Sequence, residues 1–227
     1  MPLNFWLNYM AKRYDLIVFD WDGTVMDSTG VIAGSIQAAC RDLGLDEPSD
    51  MACKHVIGLG LHEALRQAVP GVPESKHGDL VERYRHHYLL QDGTLSLYEG
   101  AVQTITELHA AGHWLAVATG KSRIGLERAM KTSGMKPLFH TTRTADQTFS
   151  KPNPAMLLEI MDEIGIEARR VLMVGDTTHD LQMARNAGVD AIGVTHGAHP
   201  AEQLLAMQPL ALLDDFTGLR SWFREHA

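Results

Sequence analysis

The 227-residue sequence has only two cysteines, Cys40 and Cys53, and they form neither a CxxC pair nor a metal-spaced cluster. That excludes a disulfide framework and a thiolate metal site, and it fits buried thiols in a reducing compartment. No apolar run approaches the ~20 residues that a membrane helix requires. The opening MPLNFWLNYMAKRYD lacks the long apolar stretch and small-residue cleavage site of a secretory leader, so a cytoplasmic protein without a membrane partner is expected. Positive charge is also scarce. Lys plus Arg number 20 against 28 Asp plus Glu, a formal net charge of −8. Such a chain lacks the basic footprint of a nucleic-acid binder. An anionic substrate would have to find its positive charge, or a cation, inside the site itself. No GxxxxGK[ST] occurs, which excludes a P-loop kinase.

What is present is enough apolar residue, 45%, for one well-buried domain and a smaller insert. Four short apolar runs read as buried parallel strands: Leu16 to Phe19, Trp114 to Ala118, Val171 to Val174 and Ala191 to Val194. Helical stretches precede the last three, at Gln103 to Ala110, Pro154 to Ile164 and Leu181 to Ala187. Gly112, Gly165 and Gly188 stand at their ends as left-handed caps. Strands alternating with helices predict an α/β fold with a Rossmann-like parallel-sheet core. Residues 29–96 break the rhythm and are expected to form a small all-helical cap, with helices over Val31 to Leu43, Leu61 to Val69 and Leu80 to Leu90. Residues 10–28 and 97–227 then make the core. Met10 is a sensible start directly before the first strand, so the first nine residues are expected to be dispensable.

The strongest chemical signal is Asp20-Trp21-Asp22-Gly23-Thr24, directly after the strand LIVF. Residues two apart on a strand share a side, and ligands bind at the carboxyl edge of parallel sheets. Two acids this close repel unless a cation lies between them or one holds a proton. Both arrangements suit phosphoryl transfer, in which one carboxylate attacks phosphorus and the other moves a proton. An Asp-rich turn after a strand is also common without function. Asp176 and Asp180 follow the strand ending at Val174, one helical turn apart. Asp180 at a helix start could simply complement the dipole. Thr119-Gly120 ends the strand WLAVA, where a hydroxyl and free N–H groups suit phosphate oxygens. Lys151 opens a helix in Ser150-Lys151-Pro152, as a fixed cation for nucleophile and phosphate or as an ordinary surface charge. Three carboxylates without clustered Cys or His make an all-oxygen site suited to a hard cation such as Mg2+.

In this order the four motifs resemble the haloacid dehalogenase superfamily, and specifically its phosphoglycolate phosphatase-like branch with a helical cap. The resemblance covers nearly the whole chain after the first dozen residues. It implies a Mg2+-dependent phosphatase acting through an aspartyl-phosphate on a small phosphorylated substrate, as a monomer or homodimer. It implies Asp20 as nucleophile and metal ligand, and Asp22 as general acid and base whose backbone carbonyl also meets the metal. Thr119 and Gly120 would bind phosphoryl oxygens, Lys151 would stabilise charge, and Asp176 would hold Mg2+ with Asp180 supporting it directly or through water. The glycines of the Gly58-Leu59-Gly60 loop of the cap let it approach the substrate closely or serve only a helix–helix turn; with the loop meeting the leaving group, substitutions at Leu59 are expected to change substrate preference.

Some positions depart from that pattern. Trp21 stands where Leu is more frequent, and is expected to pack beside the site without chemistry. Thr119-Gly120-Lys121 replaces the frequent Thr-Asn-Lys, leaving Lys121 and Arg123 to attract an anionic substrate. Asp22 argues against a dehalogenase, in which no leaving oxygen needs a proton. Lys54 precedes the glycine loop instead of following it, against a Schiff-base hydrolase. A sugar-phosphate mutase, a pyrophosphatase and a nucleotidase remain alternatives. A non-catalytic module on this fold would be expected to have lost one of Asp20, Asp22 or Asp176. The histidines, including His86, His87, His196 and His199, show no metal spacing and are expected to be surface or packing residues.

Overall fold

The computed structural model describes residues 13–226. The expectation for the first nine residues lies outside that range. The described chain begins with β1 (Leu16–Phe19) and the two-residue β2 (Met26–Asp27). Four helices follow: α1 (Thr29–Asp42), α2 (Asp50–His55), α3 (Leu61–Ala68) and α4 (Glu74–Gln91). After β3 (Ser96–Leu97) come α5 (Ala101–Ala110), β4 (Trp114–Thr119), α6 (Arg123–Ser133) and β5 (Thr141–Thr144). The chain closes with α7 (Ala155–Ile164), β6 (Val171–Gly175), α8 (Thr178–Ala187), β7 (Asp190–Val194), α9 (Ala201–Ala206), β8 (Ala211–Leu213) and α10 (Phe216–His226).

Six strands form one all-parallel sheet in the order β5-β4-β1-β6-β7-β8. The strand alternation explains how both faces are covered. Ile17 and Phe19 of β1 join one core, with Ile105 of α5, Leu126 of α6 and Phe216 of α10. Leu16 and Val18 join the other, with Leu157 and Ile160 of α7 and Met183 of α8. All four β1 residues are fully buried. Each such side chain contributes roughly 1.5–3 kcal/mol relative to exposure, which is why the central strands read as unbroken apolar runs.

Helices α1–α4 pack around a third core that includes Ile36, Leu65, Leu80 and both cysteines. β2 and β3 pair antiparallel, Met26 with Leu97 and Asp27 with Ser96. The chain therefore leaves for the helical insert and returns from it through one short ribbon. β5 and β8 were not legible as strands, because they are edge strands and β5 reads Thr-Thr-Arg-Thr. α4 starts six residues before the expected Leu80. Its buried stripe begins at His77, so the apolar periodicity starts late. Among the described residues no helix is long and apolar enough to cross a membrane.

Candidate active site

β1, β4 and β6 lie side by side, and the residues that follow them share one edge. The β1 ladder extends one step to Asp20, whose N–H donates to the Val174 carbonyl at 2.9 Å. The chain then turns at Gly23, with φ +87°. A Cβ there would collide with the Asp176 carboxylate, so glycine is required both by conformation and by close approach. The turn brings Thr24 Oγ1 to donate to Asp176 Oδ1 at 2.6 Å, and the Ala198 N–H donates to Asp176 Oδ2 at 2.7 Å. Trp21 is fully buried against Phe139 in the core, its indole N–H without a partner among the described residues.

Asp20, Lys151, Asp176 and Asp180 are all fully buried. Lys151 Nζ lies 2.6 Å from Asp20 Oδ1 and 2.6 Å from Asp180 Oδ1. Asp180 Oδ2 accepts from the Thr177 N–H at 3.1 Å and from Thr177 Oγ1 at 2.6 Å, closing a capping box at the start of α8. Asp180 thus both caps its helix and anchors Lys151. One carboxylate oxygen from each of Asp20, Asp176 and Asp180 lies within 4.8 Å of the others. Asp20 Oδ2 is buried with no hydrogen-bond partner among the described residues.

Three buried carboxylates face one ammonium. Burial drives the Asp20 carboxyl well above its ordinary range. Lys151 opposes that rise, and Asp180 and Asp176 add to it. Burial, then the charge of Asp180, pushes Asp176 up to about 7. Burial would depress Lys151, but Asp180 and Asp20 outweigh it and hold the ammonium above its usual value. The cluster therefore needs protons or a cation. Its all-oxygen donor set and the orphaned Asp20 oxygen fit a hard divalent ion.

Asp22 sits beside this cluster in sequence but in a different network. Its Oδ1 accepts from Ser28 Oγ at 2.7 Å, and both its oxygens accept from Lys121 Nζ at 2.8 and 2.9 Å. Lys121 Nζ also donates to Tyr88 Oη of α4 at 2.8 Å. Lys121, expected as a substrate cation, is thus placed on Asp22. Arg123, also expected to attract an anionic substrate, donates through its guanidinium to Thr142 and Gln147 at the β5 edge of the sheet. Thr119 is buried at the end of β4, and its Oγ1 accepts from the Lys121 N–H at 3.2 Å.

Residues 17–194 match the family of haloacid dehalogenase-like hydrolases. The chain belongs to that family. It is 35% identical to the probable phosphatase IndB of Dickeya dadantii over 89% of this chain and 90% of that protein. It is 31% identical to a 5′-nucleotidase of Pseudomonas aeruginosa over 95% of this chain and 98% of that one. The crystal structure of a predicted phosphoglycolate phosphatase from Haemophilus somnus superposes with a TM-score of 0.83 at 25% identity, covering 93% and 98% of the two chains.

In this hydrolase the helical insert reaches down onto the sheet edge. The Gly60 N–H donates to Ser150 Oγ at 2.8 Å, and Gly58, with φ +93°, lies against Thr177. A Cβ on Gly120 would lie 2.5 Å from the Gly58 carbonyl oxygen and closer still to that of Leu59. This accounts for glycine where the family pattern often has Asn: the insert's loop fills the space of that side chain. Gly120→Ala is expected to push the loop off the sheet edge and lower kcat/KM by ~10²-fold, the scale of an ångström-sized misplacement. Wild-type kinetics for that variant would show that the loop contact is dispensable.

A histidine group was missed. His55 and His199 stack with ring centroids 5.1 Å apart, and His179 lies 5.2 Å from His199. His179 Nε2 and His199 Nε2 approach the His55 carbonyl at 2.9 and 3.1 Å, tying the end of α2 to the core. Burial lowers both of these imidazoles, His199 to about 4, so they stay neutral. That suits His199 Nδ1, which accepts from the Thr178 N–H at 3.1 Å. Three histidines far apart in sequence carry no spacing signal. Thr24, in contrast, stood in plain view in the DxDGT motif.

Proposed function

We propose that this phosphatase of the haloacid dehalogenase-like family hydrolyses a small phosphate monoester through an aspartyl-phosphate on Asp20, with Mg2+. The observation that carries the reading is Asp20 itself: buried at the strand edge, held by Lys151 through one oxygen and left without a partner at the other. The Asp20 carboxylate attacks phosphorus, and the bond to the leaving oxygen breaks. Asp22 gives that oxygen its proton. Asp22 then takes a proton from the water that attacks the aspartyl-phosphate, releasing phosphate and restoring Asp20. Thr119 Oγ1 and the Gly120 N–H are suited to the phosphoryl oxygens, and Lys151 to their charge. Asp20, Asp176 and the Asp22 backbone carbonyl would hold Mg2+, with Asp180 in support. The ion supplies positive charge for the phosphoryl oxygens when bound. Assay against phosphate monoesters with and without Mg2+ tests the reading, and full activity after exhaustive EDTA treatment overturns the metal requirement.

Metal dependence should also appear without any assay. Asp20 and Asp176 carry folded-state pKa values above the ordinary carboxyl value. Stability from such groups is present at low pH and is lost as pH rises through the raised value, about 7 for Asp176. In EDTA, Tm is therefore expected to fall between about pH 5 and about pH 8. Added Mg2+ should raise Tm, and more at the higher pH, because it takes the place of protons already lost. An equal shift at both pH values would contradict a cation seated among these acids.

A further inference from the structure

A cavity of about 680 Å³ runs from Asp22, Thr119 and Lys121 into the space between the sheet edge and the helical insert. Cavities of roughly 300–1,000 Å³ enclose ligands of drug size. A short hydroxy acid would leave most of this one empty. Its far wall is apolar, formed by Ile32 and Ile36 of α1, Val56, Leu65 of α3 and Tyr84 of α4. The Tyr84 and Tyr88 rings stack at 5.9 Å, and Lys121 Nζ lies over the Tyr88 ring, 4.7 Å from its centroid. At its rim, Leu89 and Ile124 line the opening while 52% and 73% exposed.

Charge points the same way. Three cationic side chains line the cavity: Lys121, Arg85 and Arg128. Lys121 is held by Asp22, and Arg128 pairs with Asp92. Arg85 is solvent-exposed. Asp22, Glu63 and Asp146 add negative charge to the same lining. Among the described residues that line the cavity, none puts a buried cation on the apolar far wall, so a leaving group long enough to reach that wall is better accommodated uncharged.

We infer that the leaving group is an uncharged, ring-bearing alcohol of nucleoside size, in preference to a short hydroxy acid. This rests on the phosphatase reading of the same site. The test compares uridine and adenosine 5′-monophosphate with 2-phosphoglycolate and glycerol 3-phosphate, all esters of primary alcohols. The nucleotides are expected to have at least ~10-fold higher kcat/KM. Tyr84→Ala should lose most of that advantage through KM, lowering kcat/KM for the nucleotides by a larger factor than for 2-phosphoglycolate. Ile124→Glu, at an exposed rim position that folding tolerates, should do the same. Nucleotides no better than 2-phosphoglycolate, or variants that slow all esters alike, overturn the inference and leave the phosphatase reading standing. Failure of every ester, with no phosphorylation of Asp20 by acetyl phosphate, overturns the phosphatase reading itself.

Discussion

Asp20→Asn is expected to lower kcat by at least ~10⁴-fold, the scale seen when a covalent nucleophile is removed, while leaving the fold intact. An amide is nearly isosteric with the carboxylate, and its oxygen can still accept from Lys151. It is a far weaker nucleophile, and nothing else at the β1 edge replaces it. Stability should move in the opposite direction from activity. The buried Asp20 carboxyl is driven up in pKa by burial and by Asp180 and Asp176, so its charge is unfavourable in the metal-free fold. The amide removes that charge. Metal-free Asp20→Asn should therefore melt no lower than the parent near neutral pH, and its Tm gain from Mg2+ should shrink because one ligand charge is gone. Steady-state kinetics, calorimetry and mass spectrometry on the variant check this. Turnover near the parent rate, with deamidation excluded, would remove Asp20 as the nucleophile.

Lys151→Ala should damage both activity and stability. The ammonium is fully buried between Asp20 and Asp180, 2.6 Å from each. Removing one partner of a buried ion pair typically costs 3–5 kcal/mol, because the other charge is left uncompensated. For a chain of this size that corresponds to a Tm loss of roughly 6–20 °C. Lys151 faces the group that all substrates share, so kcat/KM should fall by ~10²–10³-fold for every ester by a similar factor. Leu59 is the contrast. It lines the cavity on the insert's loop, so a charged residue there should change esters unequally. A selective Lys151→Ala, or a Leu59 variant that scales all esters together, would refute this division between sheet edge and insert.

The parts of the fold legible in the sequence are those where one physical demand acts alone. β1, β4, β6 and β7 must be apolar on both faces, so each prints a continuous run. The acids at their ends were legible because Asp20, Asp22 and Asp176 follow those runs directly. β5 and β8 carry no such demand. As edge strands they tolerate Thr and Arg, and their presence depends on neighbours distant in sequence. The pairing of Lys121 with Asp22 was hidden for the same reason: a lysine after a strand reads as a free cation until the turn after β1 is seen to lie beside it. The wall of the cavity was hidden as well, since Ile36, Leu65 and Tyr84 look like ordinary helix-stripe residues whether they face a core or a ligand.

The position of β1 in the sheet has a consequence for biosynthesis. Leu16 pairs with Trp114 and Val171, which are 98 (114 − 16) and 155 (171 − 16) residues further along the chain. At ribosomal rates of ~5–20 residues per second, the strand that carries Asp20 waits many seconds for either neighbour. During that time Leu-Ile-Val-Phe has no ladder on either side, whereas helices α1–α4 complete their mutual packing from contiguous chain. The sheet then closes late, through contacts of high sequence separation, which fold slowly. Asp176 receives its last hydrogen bond from Ala198, 178 positions (198 − 20) after Asp20. The acid cluster therefore lacks part of its hydrogen-bond set until Ala198 has been joined.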